Sequence, residues 1–209
     1  MPELQELPED YTFQAYGILL LENKHRLVKK LKKHHTPSIH GHKTWNSSFL
    51  LMDYFLHTQL LHSKQKVLEL GCGWGPTSIF CAHHAGCKVT GTDLDEEVLP
   101  FLELQAALNL VEVDTKVISF DKLTKKMMSS YDIIFGADIC FWDNLADIHY
   151  NLINRAKRAG VGHILLADPG RQPFFDLAER VIAKHECELL DWYCHEPEYF
   201  EGYILHITL

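Results

Sequence analysis

Three glycines at alternate positions, Gly71, Gly73 and Gly75, follow the apolar run Val67 to Leu70, and Pro76 opens a helical segment through Ala82. The apolar run has the composition of a buried strand, and proline favours the first helical turn. A strand, a glycine turn and a helix N-terminus bring unshielded N–H groups and a positive dipole end to one spot, which suits an anionic or carboxylate-bearing ligand. A dinucleotide fingerprint would place its third glycine at position 76, which is proline. Glu69, two residues before the first glycine, would repel a pyrophosphate and receive an ammonium instead. The run Cys87 to Asp93 reads as a second strand ending in a carboxylate about 20 residues beyond the glycines, where a ribose hydroxyl finds its acceptor. The ligand these residues describe is a nucleoside with an amino-acid-like tail, and S-adenosyl-L-methionine meets that description.

Two further strand ends carry carboxylates. Lys116 to Phe120 reads as a third strand with Asp121 at its tip, placed either to accept from an adenine amino group or to cap the next helix. Residues 131 to 138 (YDIIFGAD) form a fourth, followed by Ile139, Cys140, Phe141 and Trp142. Methyl transfer from a sulfonium is an in-line displacement whose reactivity resides in the reagent, so the protein has mainly to align a nucleophile in a dry channel. Asp138 can hold and orient an amine, and the face of Phe141 favours its cationic form. A lysine amine must lose its proton before attack, and a neighbouring Asp stabilises the ammonium, so Asp138 helps binding and aim rather than deprotonation. Cys140 has no obvious adjacent base and reads as a packing residue.

The elements that must position these groups alternate. Helices are expected from about Tyr16 to Lys33, over residues 47 to 61 with Ser47 as N-cap, over 95 to 109 with a kink at Pro100, from Asn144 to Arg158 with Gly160 as the stop, and from Pro173 to about Lys184. Residues 163 to 171 form a fifth strand and turn, and the last two strands, Cys187 to His195 and Glu201 to Thr208, suggest an antiparallel hairpin. The fold class is α/β: a Rossmann-like, seven-stranded, mostly parallel sheet with an antiparallel C-terminal hairpin strand, helices on both faces and an N-terminal helical extension. Ligands in such sheets sit beyond the strand C-termini, where Gly71, Asp93, Asp121 and Asp138 all fall. Residues 1 to 44 form an extension with a basic helix and a His-rich loop, and residues 45 to 209 form the cofactor-binding domain. The first ten residues are expected to be poorly ordered.

The extension carries His34, His35, His40 and His42, but their spacing lacks the paired logic of a zinc site and no carboxylate or thiol shares the loop, so no metal is expected. A loop near the active-site mouth is the better reading. Trp45, just after it, is placed either in the core or over a nucleoside. The formal charge of −8 over 209 residues argues against a nucleic-acid platform. Six cysteines without C-x-x-C pairing and an N-terminus without a signal-peptide pattern point to a cytoplasmic chain. Its longest apolar runs are far too short to cross a bilayer, and a monomer or weak dimer is expected.

E-x-G-x-G-x-G from Glu69 to Gly75, followed by an Asp-ended strand, resembles motif I and its successor in class I, seven-β-strand S-adenosylmethionine-dependent methyltransferases. Asp138 and Phe141 as D-x-x-F, with Ala137 before them and the Trp45 segment ahead of motif I, resemble the protein N-methyltransferases grouped with the nicotinamide-N-methyltransferase-like family 16. The resemblance spans roughly residues 40 to 208. It implies that Gly71, Cys72, Gly73, Gly75, Asp93, Leu94 and Ala137 contact the cofactor, joined by Trp45, Glu69, Phe120 and Asp121, and that Asp138 and Phe141 form the acceptor pocket. It also implies a protein substrate methylated at lysine, with S-adenosyl-L-homocysteine as product. A small-molecule amine, a protein histidine or arginine, and an inactive interaction module are the alternatives. Asp168-Pro169-Gly170-Arg171 resembles a turn in the branch that modifies electron-transfer flavoprotein and ribosomal proteins, and reads equally as a plain Pro-Gly turn. Phe120-Asp121 departs from the Asp-Trp common among relatives.

Overall fold

The computed structural model describes residues 10 to 209 apart from Ile39, with the side chains of Asp143 and Asn144 also left aside. The N-terminal residues expected to be poorly ordered lie, up to position 9, outside the described residues. In chain order the elements are β1 (Thr12–Ala15), β2 (Ile18–Leu21), α1 (Arg26–Leu31), α2 (Ser47–Thr58), β3 (Lys66–Leu70), α3 (Pro76–Ala85), β4 (Lys88–Asp93), α4 (Leu99–Leu108), β5 (Asp114–Val117), α5 (Lys125–Met128), β6 (Ile133–Ala137), α6 (Asp143–Ala159), β7 (His163–Asp168), α7 (Gln172–Ile182), β8 (Glu186–Cys194) and β9 (Phe200–Thr208).

Seven strands form one sheet in the order β5-β4-β3-β6-β7-β9-β8. Strands β3 to β7 pair in parallel, while β9 runs antiparallel to both β7 and β8. The strand order reverses direction at β3, which opens a crevice above the C-terminal ends of β3 and β6.

Alternate residues of each central strand feed opposite cores, as the period of two requires. Val67, Ile133, Phe135, Leu165 and Ile204 meet α2, α3 and the β1–β2 hairpin on one face. Leu68, Ile134, Ile164, Leu166 and Leu205 meet α5, α6 and α7 on the other. Both faces being covered is why these strands read as near-continuous apolar runs.

The long basic helix expected over 16 to 33 is replaced by a hairpin and a helix of six residues. Tyr16 and Gly17 both take positive φ, 50° and 81°, the conformation of a two-residue hairpin turn. Leu20, counted toward a helical stripe, is instead a strand residue whose alternation buries Ile18 and Leu20 together. Pro100 does not kink a helix: it sits in the first turn of α4, after a short 3-10 segment at Glu96–Val98. The third strand is shorter than expected, and Phe120 and Asp121 lie past it in a 3-10 turn.

The hairpin is stitched to the body by two amides one helical turn apart, Gln105 on α4 and Asn109 at its C-terminal cap. Gln105 accepts from Leu21 N–H at 2.9 Å and donates to Leu21 C=O at 3.0 Å. Asn109 does the same for Leu19, at 2.8 and 2.7 Å. The unpaired edge of β2 is thereby satisfied by side chains.

Candidate active site

Strand β3 delivers the chain into a turn in which Gly71, Gly73 and Gly75 have φ of 61°, 50° and 69°, a region costly for residues with a Cβ. A Cβ on Gly71 would lie 2.7 Å from Ile139, and one on Gly75 2.6 Å from Leu102. A Cβ on Gly73 would meet nothing within 4 Å. The outer two glycines therefore permit close packing, and the middle one leaves open space at the crevice.

Glu69 does not reach that space. It is buried, and its Oε2 accepts from the backbone N–H of Ser78 at 3.1 Å and from the Ser78 hydroxyl. Burial pushes its carboxyl up to about 8, against the opposing pull of the Ser78 bonds. Both the ammonium contact expected of Glu69 and the unshielded helix N-terminus expected of α3 are thus corrected: the acid caps the helix itself. Cys72 and Gly75 also lie outside the cavity walls. Cys72 is buried with its sulfur toward Gly91, and its N–H bonds Thr92 C=O at 2.9 Å.

A cavity of about 750 Å3 fills the crevice, and Trp45, Gly71, Gly73, Asp93, Leu94, Phe120, Asp121, Ala137, Asp138 and Phe141 all line it. Asp93, at the end of β4, accepts from Gly73 N–H and Asp95 N–H, both at 3.0 Å. Burial pushes its carboxyl up, against those hydrogen bonds. Asp121 accepts from the Ser119 hydroxyl at 2.6 Å, which holds its carboxyl below the usual range. Val117, Ile118, Leu145 and Ile148 supply apolar wall.

A second cavity of about 510 Å3 adjoins the first and shares His40, Trp45, Asp138 and Phe141 with it. Lys43, Asn46, Pro169, Arg171 and Phe200 complete its lining. Asp138, one residue past β6, has φ of 59°, a left-handed conformation that Asp adopts more readily than most residues with a Cβ. Its backbone N–H bonds Ala167 C=O at 2.9 Å, which ties the residue to β7. One carboxylate oxygen accepts from Arg171, and the other from Ser47 N–H at 3.3 Å. Ser47 is therefore the first residue of α2 rather than its cap, and Asp138 takes the capping place from another strand.

Ser38, His40, Gly41 and Trp45 line one side of the crevice. Thr36 N–H bonds Glu97 at 2.9 Å, the Ser38 hydroxyl bonds Asp95 at 2.8 Å, and Trp74 Nε1 bonds Gly41 C=O at 2.9 Å. His40 packs edge-on against Phe141 with ring centroids 4.8 Å apart, and against Trp45 at 5.8 Å. Of the four histidines, His40 lines both cavities, while His35 lies 3.4 Å from Glu97 and His42 packs against Trp45. Among the described residues no group of three or more His, Cys, Asp or Glu side chains is arranged to hold a metal. Cys140 is buried, which pushes its thiol well up.

Sequence reasoning did not assign His40 or Arg171 to the site. The histidine loop and the Asp-Pro-Gly-Arg turn were the signals for them, but their partners lie on other elements.

Curated relatives cover part of the chain. It is 31% identical over 122 residues to a protein N-terminal and lysine N-methyltransferase of Cryptococcus neoformans, covering 55% of this chain and 40% of that protein. It is 25% identical over 132 residues to the electron transfer flavoprotein beta subunit lysine methyltransferase of Danio rerio, covering 63% and 50%. The chain thus spans half the length or less of these relatives. A solved tRNA (uracil-54, C5)-methyltransferase of Pyrococcus abyssi, in complex with S-adenosyl-L-homocysteine, superposes with a TM-score of 0.57 at 16% identity, over 82% of this chain and 40% of that one, and shares the fold. The family model for lysine methyltransferases matches residues 24–171, and the chain belongs to that family.

Proposed function

We propose that this chain binds S-adenosyl-L-methionine in the larger cavity and methylates a protein amine presented through the smaller one, with lysine the favoured acceptor. The observation that carries the reading is the junction of the two cavities at Asp138 and Phe141. A methyl donor and an acceptor approaching from opposite sides would meet there.

The residues fit the cofactor. Gly73 leaves room for a tail against the backbone, and Asp93 and Asp121 offer acceptor oxygens among apolar walls, which suits a cationic nucleoside. When bound, the cofactor supplies an electrophilic methyl group on a sulfonium. Asp93 would hold the ribose hydroxyls and Asp121 the adenine amino group, while Trp45 and Phe120 flank the nucleoside. Glu69 acts at one remove, by fixing the start of α3 and hence the glycine turn. Asp138 would orient the amine, and the faces of Phe141 and Trp45 favour its cationic form on arrival. His40, over the junction, helps exclude water.

The names of the relatives support a protein acceptor. Among the described residues no helix is long and apolar enough to cross a membrane. Six free cysteines, five of them buried, support a reducing compartment such as the cytoplasm.

Calorimetry with S-adenosyl-L-methionine and S-adenosyl-L-homocysteine, followed by mass spectrometry of protein acceptors incubated with labelled cofactor, tests the proposal. Binding of both ligands and label on lysine are expected. Absence of binding would overturn it, and label confined to histidine, arginine or small amines would transfer the activity to those acceptors.

A further inference from the structure

Asp138 is not a free carboxylate. Its Oδ1 accepts from Nη2 of Arg171, and its Oδ2 from Ser47 N–H at 3.3 Å. The same Nη2 lies 3.5 Å from Oδ2 of a second carboxylate, Asp168, at the end of the neighbouring strand β7. Asp168 is completely buried. Its Oδ1 is committed to the turn, accepting from Gly170 N–H at 2.9 Å and Arg171 N–H at 2.8 Å. Its Oδ2 is buried and makes no hydrogen bond. One guanidinium therefore stands between two carboxylates, bonded to the first and just short of the second.

Each part of this arrangement is costly alone. A buried carboxylate oxygen without a donor carries a desolvation penalty. A guanidinium that serves Asp138 leaves Asp168 incomplete, and one that moved to Asp168 would leave Asp138 incomplete. A second cation at Asp138 would free the guanidinium for Asp168 and relieve both at once. Arg171 lines the smaller cavity and is partly exposed, so its head group has room for the short shift between the two acids.

We propose that Arg171 is an internal stand-in for the acceptor's ammonium, holding Asp138 until a cationic amine arrives and then withdrawing onto Asp168. This rests on the methyl-transfer reading and narrows it to acceptors that arrive as primary ammonium ions, a lysine side chain or a protein N-terminus. A neutral acceptor has no charge with which to displace a guanidinium from its carboxylate. Asp138 is never left unpaired, and Asp168 gains its missing donor in the loaded state. Arg171 and Asp168 are positioning residues here, acting through Asp138. The opposite role, in which Arg171 greets an acidic group on the acceptor, would require it to leave both acids it already faces.

The test uses the full chain saturated with S-adenosyl-L-homocysteine and n-butylammonium as the probe, with the guanidinium signals of Arg171 followed by NMR. In the wild type, the probe should move those signals saturably, and sodium chloride at equal ionic strength should not. Binding of the probe should tighten about tenfold in Arg171→Ala, because the competing cation is gone. Asp168→Asn keeps an oxygen for the turn but offers no charge to the withdrawn guanidinium, so it should weaken binding several-fold. In the Arg171→Ala background Asp168→Asn should have no effect, since sites that act through one another are not additive. Weaker binding in Arg171→Ala, an equal effect of Asp168→Asn in both backgrounds, or static Arg171 signals would each overturn the exchange. The wild-type titration needs no variant to fold. Because every readout is binding of the amine, failure here is separate from failure of the methyl-transfer reading, which labelled-cofactor incorporation decides.

Discussion

Glu69 and Ser78, nine residues apart in the chain, form one hydrogen-bonded unit beneath the glycine turn. The carboxylate at the end of β3 takes both the backbone N–H and the hydroxyl of a residue in the first turn of α3. The glycines between them are thereby held in a loop closed at both ends. Glu69 is thus an anchor for the turn that lines the larger cavity.

A carboxyl pushed up to about 8 by burial, from an ordinary 4.5, has a defined consequence for stability. Between those pH values the folded chain keeps a proton that the unfolded chain has released. The folded state then binds more protons, so the contribution of Glu69 is fully present below about pH 4.5 and is lost as pH rises through about 8. Glu69→Gln keeps an acceptor oxygen for Ser78 and cannot ionise. Urea unfolding should find the variant more stable than wild type by a few kcal/mol at pH 9, at roughly 1.4 kcal/mol per unit of pKa displacement, with the gap closing toward pH 5. Parallel pH profiles for the two proteins would refute the assignment.

Two glycines of the same turn should respond differently to alanine. Gly75→Ala combines positive φ with a Cβ only 2.6 Å from Leu102, so strain and overpacking together should cost about 2–5 kcal/mol of stability. Gly73→Ala has the φ penalty alone, about 1–3 kcal/mol, and its methyl group enters open cavity space. Its larger effect should fall on binding of S-adenosyl-L-homocysteine. Thermal melts and calorimetry on the two variants separate the effects, and equal loss of stability with equal loss of binding would contradict the geometry.

The central strands were legible because each is covered on both faces, so apolar runs mark Val67 to Leu70 and Ile133 to Phe135 directly. Strand ends followed from those runs, and so did the convergence of Gly71, Asp93, Asp121 and Asp138 on one cavity. The hairpin was hidden because Leu20, Leu27, Val28 and Leu31 mimic a helical stripe, whereas Tyr16-Gly17 decides the local fold through backbone conformation. Glu69 was aimed at a ligand because its true partner, Ser78, comes within reach only once the turn has closed. Arg171 lies 33 residues from Asp138 and meets it through the pairing of β6 with β7. No local pattern announces such a contact.

The stitching of the hairpin to α4 predicts a local effect. Gln105→Ala leaves the N–H and C=O of Leu21 without their partners in a buried setting. Each orphaned group costs about 1–3 kcal/mol, and the loss should be concentrated in the hairpin. Hydrogen exchange should show Leu21 and its neighbours in β1 and β2 losing protection, while the amides of β3 and β6 keep theirs. Uniform loss across both regions would mean the hairpin is not a separable docking unit.

Asp138→Asn separates aim from architecture at the acceptor side. The asparagine retains an oxygen for Ser47 N–H, and Arg171 keeps Asp168 as a partner at 3.5 Å, so the fold should survive with a small change in melting temperature. What disappears is the negative charge that receives an ammonium. A hydrogen bond to a charged group contributes about 1.5–3 kcal/mol, so kcat/KM for a lysine-bearing protein acceptor should fall about 10- to 100-fold. The drop should far exceed any change in S-adenosyl-L-homocysteine affinity, because Asp93 and Asp121 at the other strand tips are untouched. Kinetics with labelled cofactor alongside calorimetry reads both quantities. Unchanged methyl incorporation would remove Asp138 from the acceptor pocket. Equal losses in turnover and cofactor binding would instead assign its charge to the donor side of the junction.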